Sequence, residues 1–500
     1  MNALASACAI RRNRYVDSVL LMHLSKRLSQ EPGVADAFLV MATEANRSRA
    51  ADAGYPRSEI DIVGPDDLLA CVRAVSDEAA SNALQKLDSF LDEQRRQPAT
   101  TVGNIDDALV ALPGARIVSI SIPGEFAAAE ASRALERGLN VFLFSSNVAL
   151  DDEIALKREA SRKGLIVMGP DCGTSIISGV GLGFANGVRR GTIGVVGASG
   201  TGIQAITTLA HRMGSGISHA IGVGSRDLSD AIGGISTLAA LDSLDADDTT
   251  KVIVLVAKST GEKSRAEVKQ RARSMSKPVL ECYLSPGGPT LDGTAAEAVR
   301  ISGRSPLELE LPLGERNSRE SDRRTRSRKR RYIRGLFAGG SFCHEAQAIL
   351  LDKGIEARSN APLLPHLEIA DPERSEGHTL LDMGSEEYTL GRPHPMIDAR
   401  ARVERLIQEG RDPETAMLLI DVVLGYGAAA DPAGDLTDAL QQVQHESGGE
   451  IAVVASVCGT ELDPQGLERQ ANTLQDAGAL VCPTSSAAVD AALELAGVAL

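Results

Sequence analysis

The chain has 500 residues, of which 67 are acidic and 52 are Lys or Arg, so its formal net charge is −15. This negative charge disfavours general binding to nucleic acid or to an anionic membrane, because long-range repulsion opposes the encounter. With 43% hydrophobic residues and a length that suggests about three domains, the chain is neither disordered nor fibrous. No apolar stretch is long enough to span a bilayer, and the basic residues near the N-terminus follow the first apolar stretch, so we expect neither a membrane segment nor a secretory leader.

The seven cysteines are scattered along the chain, without a CxxC pair and without a Cys/His spacing that would close a tetrahedral metal site. We therefore expect a reduced, cytoplasmic protein with mostly buried thiols and no metal site. Trp is absent and aromatic residues make up only 3% of the chain, whereas 48 residues are Gly. Interiors built from small aliphatic side chains are common in parallel α/β sheets.

Apolar runs alternate with helical patterns along the whole chain, which predicts an α/β fold. Residues 1–98 predict a small N-terminal βαβ domain, with a strand over 34–41 after a helical spacing over 16–28. Strands at 116–122, 141–144 and 165–168 then alternate with helices that end at Gly138 and Gly164. This order is what a right-handed, doubly wound parallel sheet requires.

We divide the rest of the chain by composition. The predicted units are a doubly wound domain at 99–190, a second α/β domain at 191–315, a basic linker at 316–331 and a third α/β domain at 332–500. Ten basic residues lie between Arg316 and Arg334 with almost nothing apolar, so the linker is expected to be solvated. An RNA or phosphate patch and docking on an acidic partner are the alternatives for this run.

The glycine-rich loop Ser199, Gly200, Thr201, Gly202 follows a strand and opens a helix. Little side-chain bulk covers the backbone there, so a phosphate could reach the N–H groups and the positive end of the helix. The loop is neither a Walker A sequence nor a GxGxxG fingerprint. Anion binding and a tight turn with glycines needed only for packing are the two interpretations.

Two further loops lie at the predicted carboxyl ends of strands, where open α/β sheets bind ligands. One is 169–175, whose Cys172 has no nearby His and is interpreted as structural rather than nucleophilic. The other is 222–230, which places Arg226 at the sheet edge.

In the last domain, Gly425, Tyr426 and Gly427 follow a buried strand and predict a second anion site at the start of the next helix. The neighbouring loop holds Arg392 and His394, and prolines on both sides of His394 restrict its backbone. This loop is interpreted either as a ligand-binding loop or as a rigid turn without a ligand, and the sequence leaves both interpretations open. The loop 338–346 also opens a helix after a strand, and its His344 is interpreted as structural.

The motifs GPDCGTS, GASGTG, GVGSRDLS, GRPHPMID, DVVLGYGA and GTELDPQ occur here in the order in which they occur in the FdrA family, and the resemblance covers almost the whole chain. FdrA proteins look like a fusion of the succinyl-CoA synthetase α subunit, here 100–310, with the carboxy-terminal domain of the β subunit, here 332–500. The resemblance implies a CoA-binding-like Rossmann domain at 99–190, a ligase-like domain at 191–315 and a flavodoxin-like domain at 332–500. In those ligases two helix N-termini point at one phosphate, and the resemblance assigns them to the helices after Gly202 and Gly427.

The sequence also departs from the ligases. The stretch 286–298, where they carry a phosphorylated histidine, contains no His, and no ATP-grasp half precedes the last domain. The glycine-rich loop that grips the pyrophosphate of CoA is also missing from the Rossmann domain, which argues against CoA. A full acyl-CoA synthetase cycle is therefore not expected.

The resemblance implies a subunit of oxamate carbamoyltransferase, acting with two further polypeptides on small anionic substrates. Carbamoyl phosphate or phosphate is then the ligand, with no certain cofactor. Arg226, Arg392 and His394 become candidates for binding carboxylates or the carbamoyl oxygen. The alternative is an acyl-CoA synthetase-like protein that binds CoA or acyl phosphate in a regulatory or non-catalytic role.

Overall fold

A computed structural model describes residues 4–16, 18–60, 62–94, 102–258, 260–309, 330–389 and 392–496. Strands in these ranges form four sheets, two of three strands and two of six. Among the helices described, none is both long enough and apolar enough to cross a lipid bilayer.

The N-terminal domain has a split βαβ arrangement, as predicted. Strand β3 pairs antiparallel with both neighbours in the order β1-β3-β2, so β1 and β2 are parallel and are joined by the first helix. Helices α1 and α4 cover one face of this sheet and α2 with α3 covers the other. The elements are β1 (Ala5–Arg11), α1 (Ser18–Ser29), β2 (Val34–Met41), α2 (Glu44–Asp52), α3 (Arg57–Ile60), β3 (Leu68–Ala74) and α4 (Asp77–Gln94).

Cys8 and Cys71 form a disulfide between β1 and β3. The two residues are directly opposite each other in the antiparallel register, with Cα atoms 4.0 Å apart, so their side chains meet on one face of the sheet. The expectation of reduced thiols is therefore wrong for this pair. Spacing along the chain does not reveal it, because 63 positions separate the two cysteines. The other five cysteines are free and buried.

Reduction of this disulfide should destabilise the N-terminal domain. For a sequence separation of 63 residues, loop-closure entropy predicts a loss of about 4 kcal/mol. Hydrogen exchange over β1 and β3 should accelerate when the full chain is treated with dithiothreitol, whereas the C8S/C71S double variant should exchange fast with or without reductant. Equal protection of the wild-type strands in both conditions would contradict this prediction.

The second unit is a three-stranded parallel sheet in the order β4-β5-β6. Gly138 and Gly164 follow its helices with φ values of 75° and 67°, the left-handed conformation that ends a helix. The predicted strands of this region are confirmed. The elements are α5 (Ile105–Ala111), β4 (Ile117–Ile120), α6 (Gly124–Glu136), β5 (Asn140–Leu143), α7 (Leu150–Arg162) and β6 (Val167–Met168).

The third unit is a six-stranded sheet in the order β12-β11-β9-β10-β7-β8. Its first four strands are parallel, and the antiparallel hairpin of β7 and β8 extends one edge. All six residues of β11 are buried, as expected for a strand covered by helices on both faces. The elements are β7 (Thr174–Ile177), β8 (Val180–Gly183), β9 (Arg190–Gly197), α8 (Gly200–Arg212), β10 (Ile217–Gly222), α9 (Ile235–Ala246), β11 (Val252–Ala257), α10 (Glu262–Arg273), β12 (Val279–Tyr283) and α11 (Leu291–Ile301).

The last unit is an all-parallel sheet in the order β14-β15-β13-β16-β17-β18, which confirms the predicted α/β class. The elements are β13 (Tyr332–Phe337), α12 (Gly340–Asp352), β14 (Ala357–Arg358), β15 (His378–Asp382), α13 (Glu386–Thr389), α14 (Arg400–Arg411), β16 (Thr415–Val423), α15 (Gly434–Glu446), β17 (Ala452–Cys458), α16 (Leu467–Asp476), β18 (Leu480–Cys482) and α17 (Ser485–Ala496).

Residues 316–329 of the predicted linker lie outside the described residues. The basic run does not stay solvated to its end, because Arg334 is a buried residue of β13 that pairs with Glu409 at 3.2 Å and Asp412 at 2.8 Å. Arg330 is paired with Glu450 at 2.8 Å. The prediction that the whole basic run is solvated is therefore wrong for its C-terminal part, where Arg330 and Arg334 form ion pairs with acidic residues of the last domain.

Buried hydrogen bonds connect the two six-stranded units. Asn186 and the Gly187 amide donate to the two carboxylate oxygens of Asp463, at 2.9 and 2.8 Å. Gln204 of α8 donates to the carbonyl of Leu424 at 3.2 Å. One apolar core runs through both units, with residues of α8 and α12 in it. These contacts set the position of α8 relative to the last sheet.

Candidate functional site

Helices α8 and α12 begin in contact with each other. The hydroxyls of Ser199, the N-cap of α8, and Ser341, in the first turn of α12, are 2.6 Å apart. The Ser341 amide also donates to Oγ1 of Thr201 at 3.2 Å. We call the region formed by residues 199–202 and 339–341 the helix-end site. Each helix follows the central strands of its sheet, so the site lies where the carboxyl ends of both sheets meet.

Backbone donors at the start of α8 have no acceptor in the described part of the chain. No described residue accepts a hydrogen bond from the amides of Gly200, Thr201 or Gly202. In contrast, Asp421 accepts the amides of Ala338 and Gly339, just before α12, at 2.7 and 2.8 Å. Free amides at a helix N-terminus bind anions. The N-terminus of α8 therefore offers more free backbone donors than the N-terminus of α12 does.

A buried hydroxyl lies beside these amides. Thr174 of β7 is 1% exposed, and its Oγ1 has no hydrogen-bond partner among the described residues. A Cβ placed on Gly200 would lie 3.5 Å from this oxygen, so the hydroxyl borders the first residue of α8. Buried polar groups without a partner are rare in native proteins and lower stability. A ligand oxygen at the helix-end site would give Thr174 the acceptor that the protein lacks.

Lys258 and Asp382 face each other at the start of α12. Lys258 follows β11, Asp382 ends β15, and their Nζ and Oδ2 atoms are 3.5 Å apart. A Cβ placed on Gly340 would collide with this Oδ2 and lie 2.5 Å from Nζ, so the space beside Gly340 is taken by these two charged groups. The helix-end site thus combines two positive helix ends with the ammonium group of Lys258 and the carboxylates of Asp382 and Asp421.

Two histidines near this pair are neutral. Burial, and then the charge of Lys258, lowers the pKa of His344 to about 4, and burial lowers the pKa of His394 to about 4 as well. His344 Nδ1 is 2.9 Å from the Gly340 carbonyl and donates to it in the neutral ring. His394 Nδ1 accepts the Met396 amide at 3.2 Å, which leaves the proton on Nε2.

The low pKa of His344 predicts a loss of stability in acid. The folded protein keeps the ring neutral down to about pH 4, whereas the unfolded chain takes up a proton below its ordinary value of 6.5, so stability falls as the pH drops through this window. At about 1.4 kcal/mol per pKa unit the contribution is on the order of 3 kcal/mol. Urea unfolding of wild type and H344Q at pH 7 and pH 4.5 measures the difference.

H344Q should lose less stability between these two pH values than the wild type does. The variant H366Q is the control, because His366 is an exposed side chain outside the site. Parallel losses in the wild type and H344Q would contradict the prediction.

The structure places Ser199, Gly200, Thr201 and Gly202 in the helix-end site, and the second predicted loop lies against Phe184 and Ala185. The helix that follows Gly427 is α15, which begins at Gly434 rather than directly after the loop. The Gly425 amide donates to Gln465 at 3.2 Å and the Tyr426 amide to the Ala185 carbonyl at 2.9 Å. Backbone oxygens of Phe184 and Ala185 fill the space next to Gly425.

The three predicted side chains, Arg226, Arg392 and His394, lie in different surroundings. His394 lies beside the site, where Asp382 and Lys258 act on its charge. Arg226 lies toward the second unit, bound to Glu153 at 2.8 Å and to the Val148 carbonyl at 2.8 Å. Arg392 is exposed, 3.5 Å from Glu404. The structure therefore links His394 to the charged pair at the start of α12, whereas Arg226 and Arg392 are each paired with a glutamate.

Sequence reasoning missed Thr174, Lys258, Asp382 and Ser341 as site residues. The loop that opens α12 has the same order of strand, small residues and helix as the loop that opens α8, and this repeat was the available signal. Thr174 lies in the GPDCGTS motif, whereas Lys258 and Asp382 lie in no motif, and each of the three reaches the site from a different strand. Cys172 is fully buried and burial raises its pKa to about 12, which agrees with a structural role.

The helix end of the second unit does not fit the pyrophosphate of CoA. A Cβ on Gly124, the first residue of α6, would collide with the Ser146 carbonyl and lie 2.6 Å from the Asn147 carbonyl. Carbonyl oxygens this close repel phosphate oxygens. No group of three or more His, Cys, Asp or Glu side chains that could hold a metal occurs in the described ranges.

Three family models match parts of the chain. They are described as the AllF heavy metal-associated domain over residues 4–105, the CoA binding domain over 188–275 and the CoA-ligase over 336–495. The CoA binding model falls on the unit that contains α8, not on the preceding unit to which the sequence analysis assigns CoA-binding character. Together with the sheets described above, these matches show a CoA-ligase-like fold with an additional N-terminal domain.

Relatives extend these matches. The chain is 38% identical to the uncharacterized protein YahF of Escherichia coli over 493 residues, which cover 95% of this chain and 96% of YahF. It is 31% identical over 185 residues to subunit alpha 1 of the ADP-forming succinate–CoA ligase of Archaeoglobus fulgidus, covering 36% of this chain and 61% of that subunit.

Among solved structures, a dinucleotide-forming acetyl-coenzyme A synthetase of Ca. Korarchaeum cryptofilum is 16% identical with a TM-score of 0.28. That alignment covers 76% of this chain and 82% of that one. A score this low adds nothing to the fold description.

Proposed function

The chain belongs to the family of the Escherichia coli protein YahF, and we propose that it binds inorganic phosphate or the phosphate group of an acyl phosphate at the helix-end site. The contact between the first turns of α8 and α12 is the main support. Two positive helix ends that meet around free amides repel each other until an anion lies between them. The hydroxyl of Thr174, which has no partner among the described residues, adds a donor at the same place.

In this proposal the acyl phosphate is formed elsewhere and then binds at the helix-end site. The stretch 286–298, which corresponds to the phosphorylated segment of the resembling ligases, contains no His, and its second half lies in α11. His344 is held by a hydrogen bond within α12 and His394 by one within its own loop, and burial keeps both neutral. This arrangement favours histidines that bind a preformed acyl phosphate over histidines that carry a phosphoryl group.

The finer proposal is a carbamoyltransferase subunit that works with two further chains. The nitrogen of oxamate attacks the carbamoyl carbon of carbamoyl phosphate, and the bond from that carbon to the phosphate oxygen breaks. Phosphate leaves with the electron pair and takes the proton that the nitrogen releases, which gives oxalurate. Helix ends that hold the leaving phosphate contribute through positioning and fixed positive charge. No covalent enzyme intermediate is needed.

Within this proposal, His394 donates from Nε2 to the carbamoyl oxygen, because its ring is neutral and its Nδ1 is already used. Arg226 and Arg392 are proposed to bind the carboxylate of the acceptor. Each would first have to leave an acidic partner, Glu153 for Arg226 and Glu404 for Arg392.

The second candidate function is binding of CoA or acyl phosphate in a regulatory or non-catalytic role. The CoA binding and CoA-ligase models favour this reading. The carbonyls that cover Gly124 oppose CoA at the second unit, whereas the helix-end site would still hold an acyl phosphate. Both candidates therefore share the same phosphate site, and they differ in whether the bound acyl group is transferred.

Removal of the Thr174 hydroxyl should weaken phosphate binding. A hydrogen bond to a charged ligand contributes about 1.5 to 3 kcal/mol, so T174V should raise the Kd for phosphate roughly tenfold to a hundredfold. Isothermal titration of the full chain with inorganic phosphate measures the change. The variant is nearly isosteric, and the hydroxyl that it removes has no partner in the described part of the chain, so the fold should be kept.

T207V is the matched control, since it removes a buried hydroxyl that donates to the Gln204 carbonyl within α8, away from the site. It should leave the Kd unchanged. An equal loss in T174V and T207V, or no loss in T174V, would contradict the assignment of Thr174 to the site.

Carbamoyl transfer is tested by mixing the purified chain with carbamoyl phosphate and oxamate, alone and together with chains that co-purify with it. We expect oxamate-dependent release of phosphate and formation of oxalurate in the complete mixture. Binding of CoA or acetyl-CoA by the wild type, with no oxamate-dependent phosphate release in any mixture, would reject the transferase and support the second candidate.

A further inference from the structure

Lys258 is an ammonium group without hydrogen-bond acceptors in the described part of the chain. No described residue accepts a hydrogen bond from its Nζ, and the 3.5 Å distance to Asp382 is beyond normal hydrogen-bond length. The side chain is 28% exposed, so only part of its hydration remains. A lysine has three donors, and all three are available at the start of α12.

Other cations near the site are already engaged or absent. Arg402 donates to the carbonyls of Leu336 and Asp421 and to the Asp421 carboxylate, at 2.9, 2.7 and 3.1 Å. His344 and His394 are neutral, as described above. Among the described residues at the helix-end site, Lys258 is therefore the positive side chain that a ligand can recruit.

Asp382 keeps a partner when Lys258 moves. Its Oδ1 accepts the Gly384 amide at 3.1 Å, independently of the Oδ2 that faces the lysine. A phosphate bound at the first turns of α8 and α12 would bring two negative charges within reach of Nζ, whereas Asp382 offers one. A monocarboxylate would offer no more charge than Asp382 does.

We propose that Lys258 turns from Asp382 to the phosphate group of the ligand, so that this lysine makes the helix-end site selective for phosphoryl dianions over monocarboxylates. The inference rests on the proposed function and names the side chain that determines its specificity. Lys258 comes from the third unit and Asp382 from the last one, so the ligand replaces a weak ion pair between the two units.

The test is isothermal titration of the full chain with inorganic phosphate and, separately, with acetate. K258Q should weaken phosphate binding at least tenfold and K258R should recover part of the loss, while acetate binding should not change. K251Q is the matched control, because Lys251 is an exposed lysine just before the same strand, and this variant should bind phosphate as the wild type does. Thermal unfolding of each variant checks that the fold is kept.

D382N separates the proposed exchange from a merely structural ion pair. It frees Lys258 from its competitor, so phosphate binding should tighten severalfold, whereas a structural role predicts weaker binding or no change. If the wild type binds phosphate but K258Q and D382N bind it equally well, the inference is overturned and the proposed function stands. If the wild type does not bind phosphate, both are overturned.

Discussion

The structure depends on two helix ends of the same sign being held against each other. Each N-terminus carries a partial charge equivalent to about half an elementary charge, so bringing α8 and α12 together is electrostatically unfavourable by itself. The shared apolar core and the buried bonds from Asn186 and Gly187 to Asp463 offset this repulsion. Folding therefore supplies the energy that brings the backbone donors of the two helices together.

Much of the fold could be predicted from the sequence, because parallel strands and glycine-terminated helices leave strong local signals. Gly138 and Gly164 end their helices as expected, and β11 is recognisable as an uninterrupted apolar run. The hairpin of β7 and β8 was missed because its strands are short and come after a loop rich in turn residues. The disulfide was missed because a cross-strand register is a property of the folded sheet.

The site was predicted in part for the same reason. The glycine loop at 197–202 is local, and so its helix-end chemistry could be inferred from residue types alone. The helix that contacts the start of α8 in the structure is α12, which begins with an equally local signal, but Gly425 and Gly427 offer a more conspicuous one. Their glycines serve close packing, because the backbone of Phe184 and Ala185 passes directly beside Gly425. Only the tertiary structure distinguishes a glycine that admits a ligand from a glycine that admits a neighbouring chain segment.

The absence of His from residues 286–298 and the presence of Lys258 support the proposed function in the same way. A carrier takes a phosphoryl group from one place to another and needs a mobile segment, whereas the corresponding region here continues into α11. A site with fixed donors and a cation holds the phosphate where it binds. That suits a protein in which the other reactant comes to the phosphate.

The N-terminal domain is attached to the loop that carries His394. Arg400, the first residue of α14, bonds Asp398 at 2.7 Å and also reaches Asp36 of β2 at 3.0 Å, while Lys26 of α1 pairs with Asp435 of α15. The small domain therefore acts as a brace for a segment that borders the helix ends. A shortened protein that begins at the second unit would lose this brace, so its ligand affinity would reflect a loosened loop as well as a missing domain.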